Sequence, residues 1–385
     1  MQPTEFKEDM PGRLIRIPEG TWAFVPAPIP RDLQLDIETT KLLEDATLTL
    51  GTLGGIGRRL PNPHLLIGPF LRREAVLSSR IEGTIASLQQ LVLFEAAPSE
   101  KPEAPDAQEV LNYVHATQHG LKRLKELPVC LRLIRELHKE LLSGVRGQEW
   151  RPGEFRDGQN YIGKRDRPIS EARFVPPPVS EMTLALDDLE KFLNNPPHNM
   201  PGLIQLALTH YQFEAIHPFK DGNGRIGRLL ITLLLCEKNL LPKPLLYLSA
   251  FFAKNRDSYD DCLLRISQEG AWLDWCKFFL AGIAEQSEDA VKRADKLFWV
   301  WEDYHRRLQS ARSSSLPLKL VDNLFHWPAI SVPRVREILE VSPRTAYLTV
   351  GKLIKEKILV EATGKRRGRV FLAPEIIEIV EADLP

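Results

Sequence analysis

Three consecutive segments limit the fold of this chain more than any other feature: LIQLALTHYQFEAI (203–216), HPFKDGNGRIGR (217–228) and LLITLLLCEKNLL (229–241). The outer two are apolar over the length of a helix, with no interior glycine or proline to stop them. Pro218 disfavours helical backbone in the residue before it, so the first helix ends near His217, whose side chain projects into a loop. Asp221, Gly222, Asn223 and Gly224 then form a tight turn whose glycines permit positive φ and leave backbone N–H groups unobstructed. A new apolar helix starts at once. The chain therefore has to bury two helices and carry a polar, glycine-rich turn between them.

The rest of the pattern is mostly helical. Residues 1–32 are dense in proline and read as an extended arm with short strands at most. Leu33, Leu35, Ile37, Leu42 and Leu43 begin a helical stretch that ends at Gly51. A second helix is predicted from about Pro69 to Phe94, with a core stripe of Leu77, Ile81, Ile85, Leu88 and Val92. EAAPSEKPEAPDAQEV is a linker, and Asp106 with Glu109 looks like a capping box opening the next helix. Helical spacing lasts to about Gly144. From Gln148 to Val179 it is broken by Gly, Pro, Asn and Asp, and two β-like runs, NYIG and RFVPP, predict a hairpin. Helices resume through AWLDWCKFFLAGIAEQ to a long charged helix near Arg307. In 313–385, SVPRVREILE, a turn at Val341 and Ser342, SPRTAYLTVGKLIKEKIL and the ribbon LVEATGKRRGRVFLAP follow the order of a winged helix.

These segments belong to a chain of 385 residues, 43% hydrophobic and 26% charged, with 51 basic and 51 acidic residues and a formal net charge of zero. That balance excludes a whole-chain basic nucleic-acid wrapper and a polyanionic tail protein. The length allows two or three domains. No stretch approaches the roughly 18 apolar residues of a membrane span, and no apolar run follows the N-terminal charges, so a cytoplasmic protein is the default. Cys130, Cys236, Cys262 and Cys276 form no C-x-x-C pair and read as small buried hydrophobes in a reducing compartment.

HPFKDGNGRIGR gathers the residue types that nucleotide chemistry uses. Free amides at a helix N-terminus, with Arg225 and Arg228 on its first turn, suit several phosphates. Asp221 offers the hard oxygen that Mg²⁺ bridging phosphates needs. His217 can take a proton from an attacking hydroxyl at neutral pH. Three other readings compete. Gly222-x-Gly224-x-x-Gly227 satisfies the dinucleotide pattern, but a helix rather than a strand precedes it, and Tyr247 stands about where an acid is needed. His210, Glu214 and His217 could place zinc ligands on one helical face, although Pro218 pulls His217 off the helix. A plain polar turn leaves a His, an Asp and two Args at fixed intervals unexplained.

The segment resembles the signature of Fic-domain proteins, H-P-F-x-[DE]-G-N-G-R-x-x-R, at every fixed position, and the resemblance covers about residues 33–285. It implies a mainly α fold: an N-terminal helical region with an inhibitory helix (33–104), a Fic core with a small β-hairpin flap (105–285), a connecting helix (286–312) and the winged helix (313–385). The implied reaction transfers AMP from ATP to a Ser, Thr or Tyr hydroxyl of a target protein. His217 would be the general base and Asp221 would hold Mg²⁺ on the α- and β-phosphates. Gly222, Asn223, Gly224 and Arg225 would form the anion nest, Ile226 and Gly227 would continue the ATP-binding stretch, and Arg228 would grip the γ-phosphate. Asn255 is carried over as a nucleotide contact, with Tyr247 and Tyr259 weaker candidates. NYIG and RFVPP lie where the family has its flap, which holds a target segment as an added strand. Family members of this architecture are often dimers.

Ser78-x-x-x-Glu82-Gly83 resembles the family's inhibitory motif, [ST]-x-x-x-E-[GN]. Ser78 and Glu82 would share a helical face with Ala75 and Ala86, and the resemblance implies that Glu82 pairs with Arg228. Gly83 inside that helix would cost about 1 kcal/mol relative to alanine, a hint that the helix is meant to shift. Without the resemblance, Glu82 reads as a solvated helix residue.

Between residues 352 and 369 the bases Lys352, Lys355, Lys357, Lys365, Arg366, Arg367 and Arg369 face only Glu356 and Glu361. Arg344 and Thr345 would start a recognition helix, with Lys365 to Arg369 as a wing tip on phosphates. Two function classes follow: an autoinhibited protein adenylyltransferase, or a nucleotide-sensing regulator that binds DNA. A Fic site can also transfer other phosphate-linked groups or remove AMP, and the motif does not decide among these.

Overall fold

The computed structural model describes residues 1–59, 64–97, 106–163, 167–310, 315–365 and 368–382. The chain is mostly helical. It begins with an antiparallel hairpin of β1 (Gly12–Arg16) and β2 (Trp22–Pro26). Next come α1 (Ile37–Arg59), α2 (His64–Ile81), α3 (Leu88–Ala96), α4 (Ala107–Arg123), α5 (Leu131–Leu141), α6 (Val179–Asn194), α7 (Gly202–Ile216) and α8 (Asn223–Glu237). After α9 (Ser249–Lys254), α10 (Arg256–Glu269) and α11 (Trp272–Ser310), the chain ends in α12 (Ser315–Leu324), β3 (Ala329–Ser331), α13 (Val332–Leu339), α14 (Pro343–Lys355), β4 (Val360–Glu361), β5 (Val370–Leu372) and α15 (Pro374–Glu381).

Two compact units form. One comprises Met1–Gly51, His115–Leu241 and Phe251–Glu285; the other comprises Thr52–Val114, Pro242–Ala250 and Gln286–Pro385. At the centre of the first is α7, buried at every residue from Leu203 to Ile216, its polar side chains included. It is flanked by α6, α8, α10 and β2, and the Trp275 indole donates to the Ala207 carbonyl at 2.8 Å. In the second unit, α3, α12 and α15 pack on α2, where the buried Arg72 grips Glu95 through two nitrogens at 2.6 and 2.9 Å. The antiparallel sheet of this unit has the order β3-β5-β4, Leu372 of the middle strand facing Ala329 on one side and Val360 on the other.

Several local expectations are corrected. The first helix starts at Ile37, capped by Asp36, whose Oδ1 accepts from Thr39 N–H at 2.7 Å. It runs past Gly51 to Arg59, because none of Gly51, Gly54, Gly55 and Gly57 takes positive φ. At Gly57 the bare backbone is used: a Cβ there would lie 3.1 Å from Leu245. The helix predicted over 69–94 is two helices, α2 and α3. Ile81 ends α2, Gly83 takes φ +87°, its N–H bonds Arg80 O at 2.9 Å, and Thr84 N–H bonds Ser79 O at 3.1 Å. That pair of bonds around a left-handed glycine is a Schellman stop. Gly83 is thus no interior glycine, and Glu82 sits in the capping turn rather than on the helix. Of the cysteines only Cys276 is buried; Cys130, Cys236 and Cys262 are half-buried.

Candidate active site

The signature segment forms the turn between α7 and α8. His217 is the residue that ends α7, in left-handed backbone at φ 50°, ψ 61°. A non-glycine residue rarely adopts that region, so the surroundings must enforce it. The His217 Nδ1 lies 3.3 Å from Glu214 O, which makes Nδ1 the donor and Nε2 the proton acceptor of the ring. Gly222, at φ 79°, precedes the first turn of α8, and its N–H donates to Asp221 Oδ1 at 2.7 Å. Arg225 and Arg228 are both buried on that helix, and Arg225 Nη2 stands 3.8 Å from Asp221 Oδ1.

Asn223 spends its side chain within the turn. Its Oδ1 accepts from Phe219 N–H and its Nδ2 donates to Phe219 O, both at 2.8 Å. Its side chain thus ties the helix start to the loop before it. Gly227 has a packing role: a Cβ there would lie 2.1 Å from Glu214 Oε1. Its carbonyl accepts from His210 Nδ1 at 3.1 Å, while His210 Nε2 accepts from the Tyr259 hydroxyl at 2.8 Å. Both nitrogens of His210 are committed inside the core, which removes it from any zinc set, and burial pulls its pKa down to about 3. The same bond makes Tyr259 a core residue. Asn255 precedes α10, half-buried, and donates to Phe251 O at 3.0 Å. Ser78, Glu82 and Tyr247 belong to the second unit. There Ser78 is buried and Glu82 exposed, and Tyr247 lines a small cavity of mixed character with Leu77, Leu245, Arg73, Glu74 and Arg293.

The sequence reading missed two residues that hold this turn. His138 on α5 accepts from Gly153 N–H at Nδ1, 2.9 Å, and donates from Nε2 to Asp221 O, 3.0 Å. Its ring stacks on Phe219 at 3.7 Å and 6°. Burial is the main reason that its pKa falls to about 4, so it is a neutral strut at physiological pH. Its signal was present: Leu133, Ile134, Leu137, His138 and Leu141 form one buried stripe. The second residue is Arg156. Its backbone N–H donates to Pro218 O at 2.9 Å, its Nε to His217 O at 3.0 Å, and its Nη2 to Pro177 O. Nothing in EFRDGQN marks it.

The hairpin expected over 148–179 is reduced to one antiparallel bridge, with Ile162 and Phe174 exchanging N–H to carbonyl bonds of 2.8 and 3.2 Å. Residues 164–166, at its tip, lie outside the described residues.

Residues 40–122 match the Fic/DOC family N-terminal domain, and residues 128–235 match the Fic/DOC family domain. The chain belongs to the Fic/DOC family. The Fic match spans His138, Arg156 and the whole signature turn, and the N-terminal match spans Ser78, Glu82 and Gly83. A protein named protein adenylyltransferase Fic from Drosophila grimshawi is 30% identical over 186 residues, 48% of this chain and 33% of that protein. One of the same name from Drosophila virilis is 27% identical over 215 residues, 56% of this chain and 39% of that protein. The chain thus spans about a third of the length of these curated relatives. A crystal structure of a Fic family protein from Desulfovibrio desulfuricans G20 superposes with a TM-score of 0.56 at 18% identity, covering 89% of this chain and 98% of that one. A Fic-domain signaling protein from Bacteroides thetaiotaomicron gives 0.51 at 19% identity, covering 67% and 97%. These two share the fold.

Proposed function

We propose that this Fic protein is a protein adenylyltransferase that moves AMP from ATP to a Ser, Thr or Tyr hydroxyl of a target protein or of itself. The observation that carries the reading is His217, held at the left-handed exit of α7 with Nε2 as acceptor, one turn away from the amides and arginines that open α8. In that reaction the hydroxyl oxygen bonds to the α-phosphorus, the bond to the bridging oxygen breaks, pyrophosphate leaves, and Nε2 takes the hydroxyl proton. The donors at Gly222–Arg228 would hold the phosphates in line, which for phosphoryl chemistry is most of the catalysis.

The residues also fit Mg²⁺. Asp221 supplies a carboxylate, and Gly147, at φ 92°, leaves room beside its Oδ2 that a Cβ 3.2 Å away would fill. Bound there, the ion would neutralise charge on the α- and β-phosphates. With α-labelled ATP and Mg²⁺, the wild type is expected to label itself or a lysate protein and His217→Ala to label none. Equal labelling by the two would refute the assignment. Mass spectrometry of the incubated protein separates addition of AMP from transfer of another group or AMP removal.

The reading includes restraint by Ser78 and Glu82, as the family resemblance implies. A carboxylate in the capping turn of α2 opposes the helix dipole, a locally unfavourable choice that fits a regulatory use. Glu82→Gly is expected to raise AMP incorporation roughly tenfold, the effect of about 1.4 kcal/mol on a barrier; an unchanged rate would remove the restraint. A cytoplasmic dimer completes the proposal, with light scattering as the check on its mass.

A second reading, a regulator that binds DNA, is supported by the order α12, β3, α13, α14, β4, β5, which is that of a winged helix. Arg344 is exposed at the start of α14, with Tyr347 and Leu348 exposed on the next turn. Arg366 and Arg367, part of the expected wing tip, lie outside the described residues. A gel shift that weakens steeply with salt would support this reading, and no shift at low salt would dismiss it.

A further inference from the structure

The second arm of the flap, Phe174-Val175-Pro176-Pro177-Pro178, has three prolines in a row and so three missing N–H donors. Beyond the Ile162–Phe174 bridge it cannot complete a ladder. Side chains of the first arm supply the donors instead: Gln159 Nε2 bonds Pro176 O at 2.8 Å, and Arg156 Nη2 bonds Pro177 O. Arg156 does more than close the arms. Its Nη1 donates to Gly158 O at 3.1 Å, its Nε to His217 O at 3.0 Å, and its Nη2 also reaches Ile216 O at 3.5 Å. Asn160 repeats the link from the same arm, donating to Phe219 O at 2.9 Å and His217 O at 3.5 Å.

Every acceptor of the Arg156 guanidinium is a main-chain carbonyl, and among the described residues it has no carboxylate partner. The residue is only 3% exposed. Burying a cation without a counter-ion is costly, so the fold keeps this one at the expense of stability. Burial also lowers its pKa to about 10. An arginine that served one segment could be replaced by a neutral donor. This one joins three: both flap arms and the exit of α7.

We propose that Arg156 is a positioning residue for transfer, fixing the two flap arms and His217 as one body so that the hydroxyl of a strand docked on the flap arrives at Nε2. The proposal rests on the adenylyl-transfer reading. The Arg156 guanidinium bonds none of Gly222–Arg228, the stretch assigned to the phosphates, so nucleotide binding and hydroxyl placement should separate.

The test compares full-length wild type, Arg156→Lys and Arg156→Gln. Three quantities are read: self-labelling from α-labelled ATP, calorimetric affinity for ATP with Mg²⁺, and amide hydrogen exchange in three segments, 158–162, Phe174 with Val175, and 216–219. In Arg156→Gln, labelling is expected to fall roughly a hundredfold, the usual consequence of an ångström of misplacement, with ATP affinity kept within about twofold. Exchange should rise in all three segments together, and lysine should restore part of both effects. Labelling at the wild-type rate would overturn the proposal. So would a loss of labelling that merely follows a loss of ATP affinity. If wild type transfers no AMP, the adenylyl-transfer reading fails on its own. The exchange data then decide the clamp: faster exchange in one segment alone overturns it, and joint release of the three supports it.

Discussion

Gly227 and Asn223 have separate duties within one short turn. Any side chain at 227 would collide with the Glu214 carboxylate, because a Cβ would stand 2.1 Å from its Oε1. The glycine is there so that α7 and α8 can cross closely, with His210 bonded to its carbonyl at 3.1 Å. Gly227→Ala should therefore destabilise the chain by about 1–3 kcal/mol through overpacking, measured by urea unfolding. A neutral outcome would mean that Glu214 can swing aside without loss. Asn223 acts on the backbone of Phe219 from both ends of its amide, which orients the loop that His217 begins. The identity of these residues follows from packing and hydrogen bonding as much as from any contact with phosphate.

Among the elements, α2 and the flap show how local chemistry sets an end point. The stop of α2 is a Schellman turn at Gly83, and its φ of +87° is one that an L-residue adopts at a cost. Gly83→Ala should lower stability by about 1 kcal/mol and shift the thermal midpoint down by a few degrees. An unchanged midpoint would show that the turn relaxes. Helical periodicity alone carried the expected helix across this point, since Leu77, Ile81, Ile85, Leu88 and Val92 keep their spacing through the break. In the flap, NYIG and RFVPP were legible as extended runs. That they pair at only one bridge follows from the prolines after Val175, which have no N–H to offer.

At the scale of the whole molecule, the buried histidines of the first unit make its stability depend on pH. His138 and His210 have folded-state pKa values of about 4 and about 3, against an ordinary 6.5. The unfolded chain binds their protons below about pH 6.5 and the folded chain does not, so the stability present above that pH falls as the pH drops toward 4. Each histidine should cost about 2 kcal/mol on going from pH 7 to pH 5, read from urea midpoints. His138→Gln should remove part of that slope, and an unaltered slope would mean that His138 protonates without strain. Much of the helical organisation and the catalytic turn was legible in the sequence. Apolar segments of helix length, Pro218 and the Asp-Gly-Asn-Gly run act through neighbours in the chain, and local sterics set their outcome. The burial of His138 could be read from its apolar stripe, but its bond to the turn could not, and neither could Arg156 nor the second duty of Gly227. Their partners lie 83, 61 and 13 residues away, at Asp221, His217 and Glu214, and only the packed fold brings those atoms within bonding or van der Waals distance. The local chain thus determined the chemical groups of the turn, whereas the tertiary structure decided what holds them at their positions.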